Sequence, residues 1–254
     1  MLESGGGSEL EVNIATTPAG VRYGLLGAPG TGPAPLLLSF AADLETSLGQ
    51  DPYHRTARQL AQRGYLCVSL DLPCHGQDHR AGEAEGLKGW RERVEGGEDF
   101  VAPFAHQVSQ VLDHLIGAGL ADPGRVAACG TSRGGFMAAQ VMAADSRCRA
   151  AALFAPVTSL AALSEFAGLE HAPRTQTLAL AVQAPAFATR SLWVSIGHRD
   201  LRVDTDLCIA FCRRVVAAAG AGPADCSLQV LPTEGHSTPR GAYEAAADWI
   251  NSRL

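Results

Sequence analysis

The chain has 254 residues, 46% hydrophobic and 18% charged, with a formal net charge of −6 and basic residues scattered rather than gathered into a stripe. Such a chain can bury one large core and is read as a single domain over 1–254, while the lack of concentrated positive charge excludes a nucleic-acid surface. No apolar run approaches the roughly 20 residues that cross a bilayer, and Met1–Glu11 lacks a basic stretch followed by an apolar one, so the expectations are a small-molecule substrate, no membrane partner and a cytoplasmic location, with the oligomeric state open.

Short apolar runs alternate with helical periodicities, the pattern of a mostly parallel twisted sheet with helices on both faces. Strands are expected at about 9–15 and 21–27, and a buried one at Leu36–Phe40. Asp51-Pro52 has the form of a helix cap followed by proline at the first helical position, with Gly64 closing that helix. Tyr65–Leu70 is the next strand. Residues 72–99 are rich in Gly, Glu and Arg without a clear period and form the first insertion; its 83–99 part reads as a solvated flap, with Trp90 either walling a pocket or packing locally. Apolar residues at 101, 104, 108, 111, 112 and 115 mark a helix.

Beyond it, Asp122-Pro123-Gly124 is a turn, Val126–Cys129 a strand, 133–144 a helix and Ala150–Phe154 a strand. The second insertion, 156–190, holds one expected helix at 159–168. Then come a strand at Leu192–Ile196, a helix at 204–219, a strand at Ser227–Leu231 and a final helix opened by Thr238-Pro239. The seven cysteines are odd in number and dispersed, and are read as buried free thiols. Cys208 and Cys212 share a helix face but lack a second ligand pair and sit among apolar residues, so core packing is preferred to a metal. No metal or cofactor is expected.

Gly130-Thr131-Ser132-Arg133-Gly134 lies between an expected strand and an expected helix. A serine hydroxyl becomes a nucleophile when it is exposed, oriented and relieved of its proton by a base. A tight strand-to-helix turn supplies the first two, and the helix N-terminus aims N–H groups at a developing oxyanion. Among eight histidines, His236 lies just after the last strand, at the sheet edge where Ser132 must sit. His54, His106 and His114 fall in helical patterns, and His198 is better placed beside the acid than as the base. The orienting acid is expected after the penultimate strand, where Asp200 stands; Asp204 and Asp206 begin the next helix, where carboxylates serve as caps.

This order of strands, nucleophile turn, late Asp and late His resembles the α/β-hydrolase superfamily over roughly residues 20–254. Gly130-Thr-Ser-Arg-Gly-Gly135 and Gly197-x-x-Asp200-x-x-Val203 are similar to the prolyl oligopeptidase and dienelactone hydrolase branches, and Asp71-Leu-Pro-Cys-His-Gly76 to the Asp-x-Pro-Gly-His-Gly turn of many members. Dienelactone hydrolases carry cysteine where Ser132 stands, and the His-Gly pair usual after the third strand is replaced by Phe40-Ala41-Ala42. The resemblance makes His75 a turn residue. It implies an α/β-hydrolase fold with small cap insertions, a Ser132–His236–Asp200 triad, and oxyanion donors at the Arg133 N–H and at Ala41 or Ala42. A small carboxylic ester is the expected substrate, with short acyl chains preferred in a pocket walled by 72–99 and 156–190. A small serine peptidase or amidase is the alternative enzyme, and a catalytically silent ligand-binding protein of the same fold the alternative of another class.

Overall fold

The structure, a computed structural model, describes residues 11–28 and 30–254. Eight strands form one sheet: β1 (Asn13–Thr16), β2 (Arg22–Leu26), β3 (Ala34–Phe40), β4 (Leu66–Ser69), β5 (Ala121–Thr131), β6 (Cys148–Phe154), β7 (Ser191–Gly197) and β8 (Cys226–Leu231), in the order β1-β2-β4-β3-β5-β6-β7-β8. The β1/β2 and β2/β4 pairs are antiparallel and the others parallel. The helices are α1 (Leu44–Gly49), α2 (Arg55–Ala61), α3 (Leu87–Glu95), α4 (Val101–Gly117), α5 (Arg133–Ala144), α6 (Pro173–Thr177), α7 (Ala184–Phe187), α8 (Thr205–Ala218) and α9 (Ala242–Asn251). Positions 9 and 10 of the first expected strand lie outside the described residues.

Because successive strand residues face opposite sides, the central strands divide their apolar residues between two cores. Leu36, Leu38, Ala128 and Leu153 join one with Phe104 and Val108 of α4, Phe136 of α5 and Phe211 of α8. Leu37, Ala127, Cys129 and Phe154 join the other with Leu60 of α2 and Ala246 and Ile250 of α9. All six residues of the α4 stripe read from the sequence are buried.

Several local expectations are corrected. The helix expected to open at Asp51-Pro52 starts later, as α2 at Arg55 after a turn with a cis Asp51–Pro52 peptide, and an unanticipated α1 precedes it, capped by Asp43, whose carboxylate accepts from the Thr46 N–H at 2.6 Å. Asp51 caps nothing; its carboxylate takes the Arg55 guanidinium at 2.6 and 2.9 Å. The Asp122–Gly124 turn survives as a bulge inside β5, where pairing with β3 jumps from Ala121 to Val126. In place of a helix at 159–168 stand two 3₁₀ turns, 160–162 and 164–166; Leu160, Leu163 and Phe166 recur every three residues and are all buried. The last helix starts at Ala242, since the Thr238 hydroxyl is engaged with the Tyr243 hydroxyl at 3.0 Å and not with a helix N–H.

The 83–99 segment is no solvated flap. It contains α3, whose Trp90 is fully buried, stacked on Phe100 and Phe136 at 4.9 and 5.7 Å and donating from Nε1 to the Pro73 carbonyl at 2.6 Å. Arg93, 5% exposed, is clasped by Glu83 and Asp78. Arg91 donates to the carbonyls of Glu165 and Ala167, pinning this segment to the second insertion.

Candidate active site

The sheet's carboxyl edge gathers the residues singled out from the sequence. β5 runs directly into Ser132, which precedes α5 at φ 55° and ψ −115°, a region that side-chain-bearing residues occupy at a cost of about 1–3 kcal/mol. The neighbours hold it there. The Ser132 N–H donates to the Phe154 carbonyl at 2.8 Å, and the Ser132 carbonyl accepts from Phe136 and Val157, each at 3.1 Å. The flanking glycines are required by approach distance: a Cβ on Gly130 would strike the Gly134 backbone, and one on Gly134 would strike the Phe40 carbonyl.

His236 reaches Ser132 from the loop between β8 and α9. Its Nε2 lies 2.9 Å from Ser132 Oγ, and its Nδ1 lies 2.7 Å from Asp200 Oδ2. The Asp200 side chain is sealed from solvent, while that of His236 is 28% exposed. Asp200 Oδ1 accepts from the N–H groups of Arg202 at 3.0 Å and Val203 at 3.2 Å. Thr205 Oγ1 donates to the Gly197 carbonyl and accepts from the Asp200 N–H, which braces the loop after β7. Burial alone would raise the Asp200 carboxyl; the hydrogen bond and charge of His236, with the two N–H donors, outweigh it and hold the group below its usual range. The imidazole therefore rests between a hydroxyl and an ionised carboxylate.

Asp204 is elsewhere. Its carboxylate caps α8, accepting from the N–H groups of Asp206 at 2.8 Å and Leu207 at 3.1 Å, and Asp206 lies in that helix's first turn. His198 is exposed, with its N–H on the Leu231 carbonyl.

The two alanines after β3 are not equivalent. The Ala41 N–H is committed to Ser47 Oγ at 2.9 Å, which corrects its candidacy as an open donor. The Ala42 N–H makes no hydrogen bond with any described residue, and as the first residue of α5 Arg133 has no intrahelical acceptor for its own. Ala42, Arg133 and Ser132 line one cavity of about 690 Å³. The donor left available beside the Arg133 N–H is Ala42.

That cavity also corrects the expected pocket walls. None of its lining residues comes from 156–190 and only Leu87 from 72–99; most come from 41–55 and 236–243, the rest from 131–133, Ala155 and Arg202. The second insertion packs inward instead, with Leu160, Phe166, Leu180 and Phe187 fully buried.

The Asp71 turn is closed by its own side chains. The Asp71 carboxylate accepts from Arg22, from the Leu44 N–H and from the Gln77 N–H, and a Cβ on Gly76 would press on that carboxylate at 2.5 Å. Cys74 stands at φ 61° where the resembled motif has glycine. His75 is indeed a turn residue: Nδ1 donates to the Pro73 carbonyl at 2.8 Å, and Nε2 accepts from the Arg133 guanidinium at 2.8 Å.

Sequence reasoning missed three supports: Ser47 on Ala41, the His75–Arg133 contact, and Tyr243, whose hydroxyl lies 3.1 Å from Thr131 Oγ1 and 3.0 Å from Thr238 Oγ1, linking the end of β5 to the loop carrying His236. His75 and Arg133, and Tyr243 and Thr131, lie 58 and 112 residues apart, too far for a local pattern to carry a signal, while Ser47 is only six residues from Ala41 but carries no motif that marks it.

Among the described residues there is no group of three or more His, Cys, Asp or Glu side chains able to hold a metal ion, and no helix long and apolar enough to cross a membrane. Cys208 and Cys212 lie in the core beside Cys226.

A family model described as serine aminopeptidase, S33, matches residues 50–236. No curated protein sequence matches the chain. Among solved structures, an acetyl xylan esterase from Paenibacillus sp. R4 superposes with a TM-score of 0.67 at 17% identity, covering 97% of this chain and 90% of that one. A cold-adapted esterase from an Arctic intertidal metagenomic library gives 0.67 at 20% identity, covering 96% and 93%. A puromycin-hydrolyzing peptidase of Mycobacterium tuberculosis gives 0.71 at 18% identity, covering 97% of this chain and 39% of that one. The fold read from the sequence is the fold these structures share.

Proposed function

The chain belongs to the α/β-hydrolases of the serine aminopeptidase S33 family, and from that premise we propose that it is a serine hydrolase cleaving a small carboxylic ester through an acyl-enzyme. The observation that carries this reading is the continuous chain from Ser132 Oγ to His236 Nε2 at 2.9 Å and from His236 Nδ1 to Asp200 at 2.7 Å.

In this mechanism Ser132 attacks the ester carbonyl as His236 takes its proton, and Asp200 holds the ring with Nδ1–H facing the carboxylate. The N–H groups of Arg133 and Ala42 receive the oxyanion in a cavity where such donors act with little reorganisation. His236 returns the proton to the departing alcohol, then activates water to release the acid and restore Ser132. No step calls on a metal or cofactor. The seven unpaired thiols suit a reducing compartment, which supports a cytoplasmic location.

Ester cleavage is preferred to aminopeptidase action on electrostatic grounds. An aminopeptidase must receive its substrate's α-ammonium group, which calls for a carboxylate in the binding pocket. The described residues lining this cavity include four arginines and no aspartate or glutamate.

A fluorophosphonate probe should label the protein at Ser132, and 4-nitrophenyl esters of graded acyl length should be hydrolysed faster than aminoacyl anilides. Absence of labelling would point to a silent ligand-binding protein, and faster anilide cleavage to the peptidase reading.

A further inference from the structure

The Arg133 side chain has a place in the cavity separate from the work of its backbone N–H. One guanidinium nitrogen donates to His75 Nε2 at 2.8 Å. His75 is itself buried, and its Nδ1–H is taken by the Pro73 carbonyl, so the ring is a fixed acceptor that aims the guanidinium. Arg133 forms no ion pair with any described residue, unlike its neighbours: Arg202 is held by Glu165 at 2.5 Å, and Arg55 by Asp51 at 2.6 Å with Glu244 at 3.6 Å. Its remaining nitrogens have no hydrogen-bond partner among the described residues and are not sealed from solvent. Its charge is felt by Tyr53 and Arg202, both of which line the cavity containing Ser132, and by Glu165 and Glu85, neither of which lines that cavity or bonds to the guanidinium. Arg240, on the same lining, is likewise without an ion pair among the described residues. A chain of net charge −6 thus presents to its nucleophile a cavity lined by arginines.

We infer that the substrate is an anionic ester, with a carboxylate on its acyl or its alcohol part that docks on the Arg133 guanidinium held by His75. A half-buried arginine with carboxylates nearby but none in contact is costly to keep in the free protein, and a planar carboxylate matches its open N–H fork. The inference rests on the serine-hydrolase reading and narrows it to a substrate class.

The test compares charged esters with their neutral isosteres. On the acyl side these are the mono-4-nitrophenyl esters of succinate, glutarate and adipate, each against its methyl-capped form; on the alcohol side, 4-acetoxybenzoate against methyl 4-acetoxybenzoate. With spontaneous hydrolysis subtracted, kcat/KM for the charged member should exceed that of its neutral partner about 10- to 100-fold in at least one series, the range of a charge-assisted hydrogen bond. The advantage should appear mainly in KM and shrink as sodium chloride rises from about 0.05 to 0.5 M. Arg133→Gln should bring the ratio near one, with Arg133→Lys between. The ratio is taken within each enzyme, and the salt series on the unaltered protein needs no variant to fold. Equal or faster cleavage of the neutral members in every series, or a ratio that survives Arg133→Gln, overturns the inference. Failure of the underlying reading looks different: the fluorophosphonate carries no negative charge, so absence of labelling at Ser132 would condemn the nucleophile whatever the ratio.

Discussion

At the turn between β5 and α5, Ser132 holds φ 55° against its own preference, backbone approaches so closely that glycines are obligatory, and the hydroxyl is left accessible. Thirty to fifty residues earlier, the 83–98 segment does the reverse: Trp90 is fully buried with its N–H satisfied, and Arg93 is enclosed by two carboxylates. One region accepts strain and exposure to present a hydroxyl to His236; the other secures burial and pairing and contributes only Leu87 to the cavity. Substitutions in the first should remove turnover and leave the fold, and substitutions in the second should weaken the fold and leave turnover per folded molecule.

The largest effect is expected at Ser132. Ser132→Ala should lower kcat for a 4-nitrophenyl ester by about 10⁵–10⁶-fold, leaving the residue of catalysis that binding and oxyanion donors provide, with the urea midpoint unchanged; near-normal turnover would remove the nucleophile from this site. Asp200→Asn comes next. It keeps the shape but favours the wrong imidazole tautomer, and kcat should fall by about 10⁴-fold. Circular dichroism should report an intact fold for both variants.

Trp90→Ala tests the opposite region. Removing a fully buried indole should cost about 3–5 kcal/mol of stability in urea unfolding, with turnover per folded molecule near that of the unaltered protein; a selective loss of kcat would return Trp90 to the pocket wall. A smaller effect belongs to Glu83, whose carboxyl the Arg93 guanidinium holds down at about 2. A carboxyl lowered on folding stabilises the protein above its ordinary value near 4.5 and loses that contribution as pH falls toward about 2. Glu83→Gln should therefore lower Tm at pH 7 and flatten its decline between pH 4.5 and 2, and an unchanged acid limb would discard the pair as a source of stability. The smallest effect is expected at Asp204, four residues from Asp200. Asp204→Asn retains a capping side chain, so its cost is at most about 1 kcal/mol with kcat nearly intact; a dead Asp204→Asn enzyme would move the acid onto α8.

The sequence carried the sheet, and the residues that meet as Ser132, His236 and Asp200, with few errors because both are written locally. Apolar runs and the α4 stripe reflect which face a residue turns to the core, and Ser132 sits between glycines that steric approach demands within five residues of chain. The division between Asp200 and Asp204 was also legible, since a carboxylate at a helix start has N–H groups of its own to satisfy. Proline misled twice, at Asp51-Pro52 and at Thr238-Pro239. In both places the side chain expected to cap a helix found a better partner, Arg55 in one and Tyr243 in the other.

What the sequence alone settled about this protein is the order of its layers and the identity of three polar residues at one sheet edge, because periodicity and close approach act over a few residues. The cavity walls, the burial of Trp90 and the aim of Arg133 onto His75 belong to the tertiary structure. Each joins elements whose meeting depends on how the sheet twists and how the insertions pack: Arg133 meets His75 across 58 residues of chain, and His236 meets Ser132 across 104. No local preference encodes such distances; the packing of both cores against one sheet brings them together.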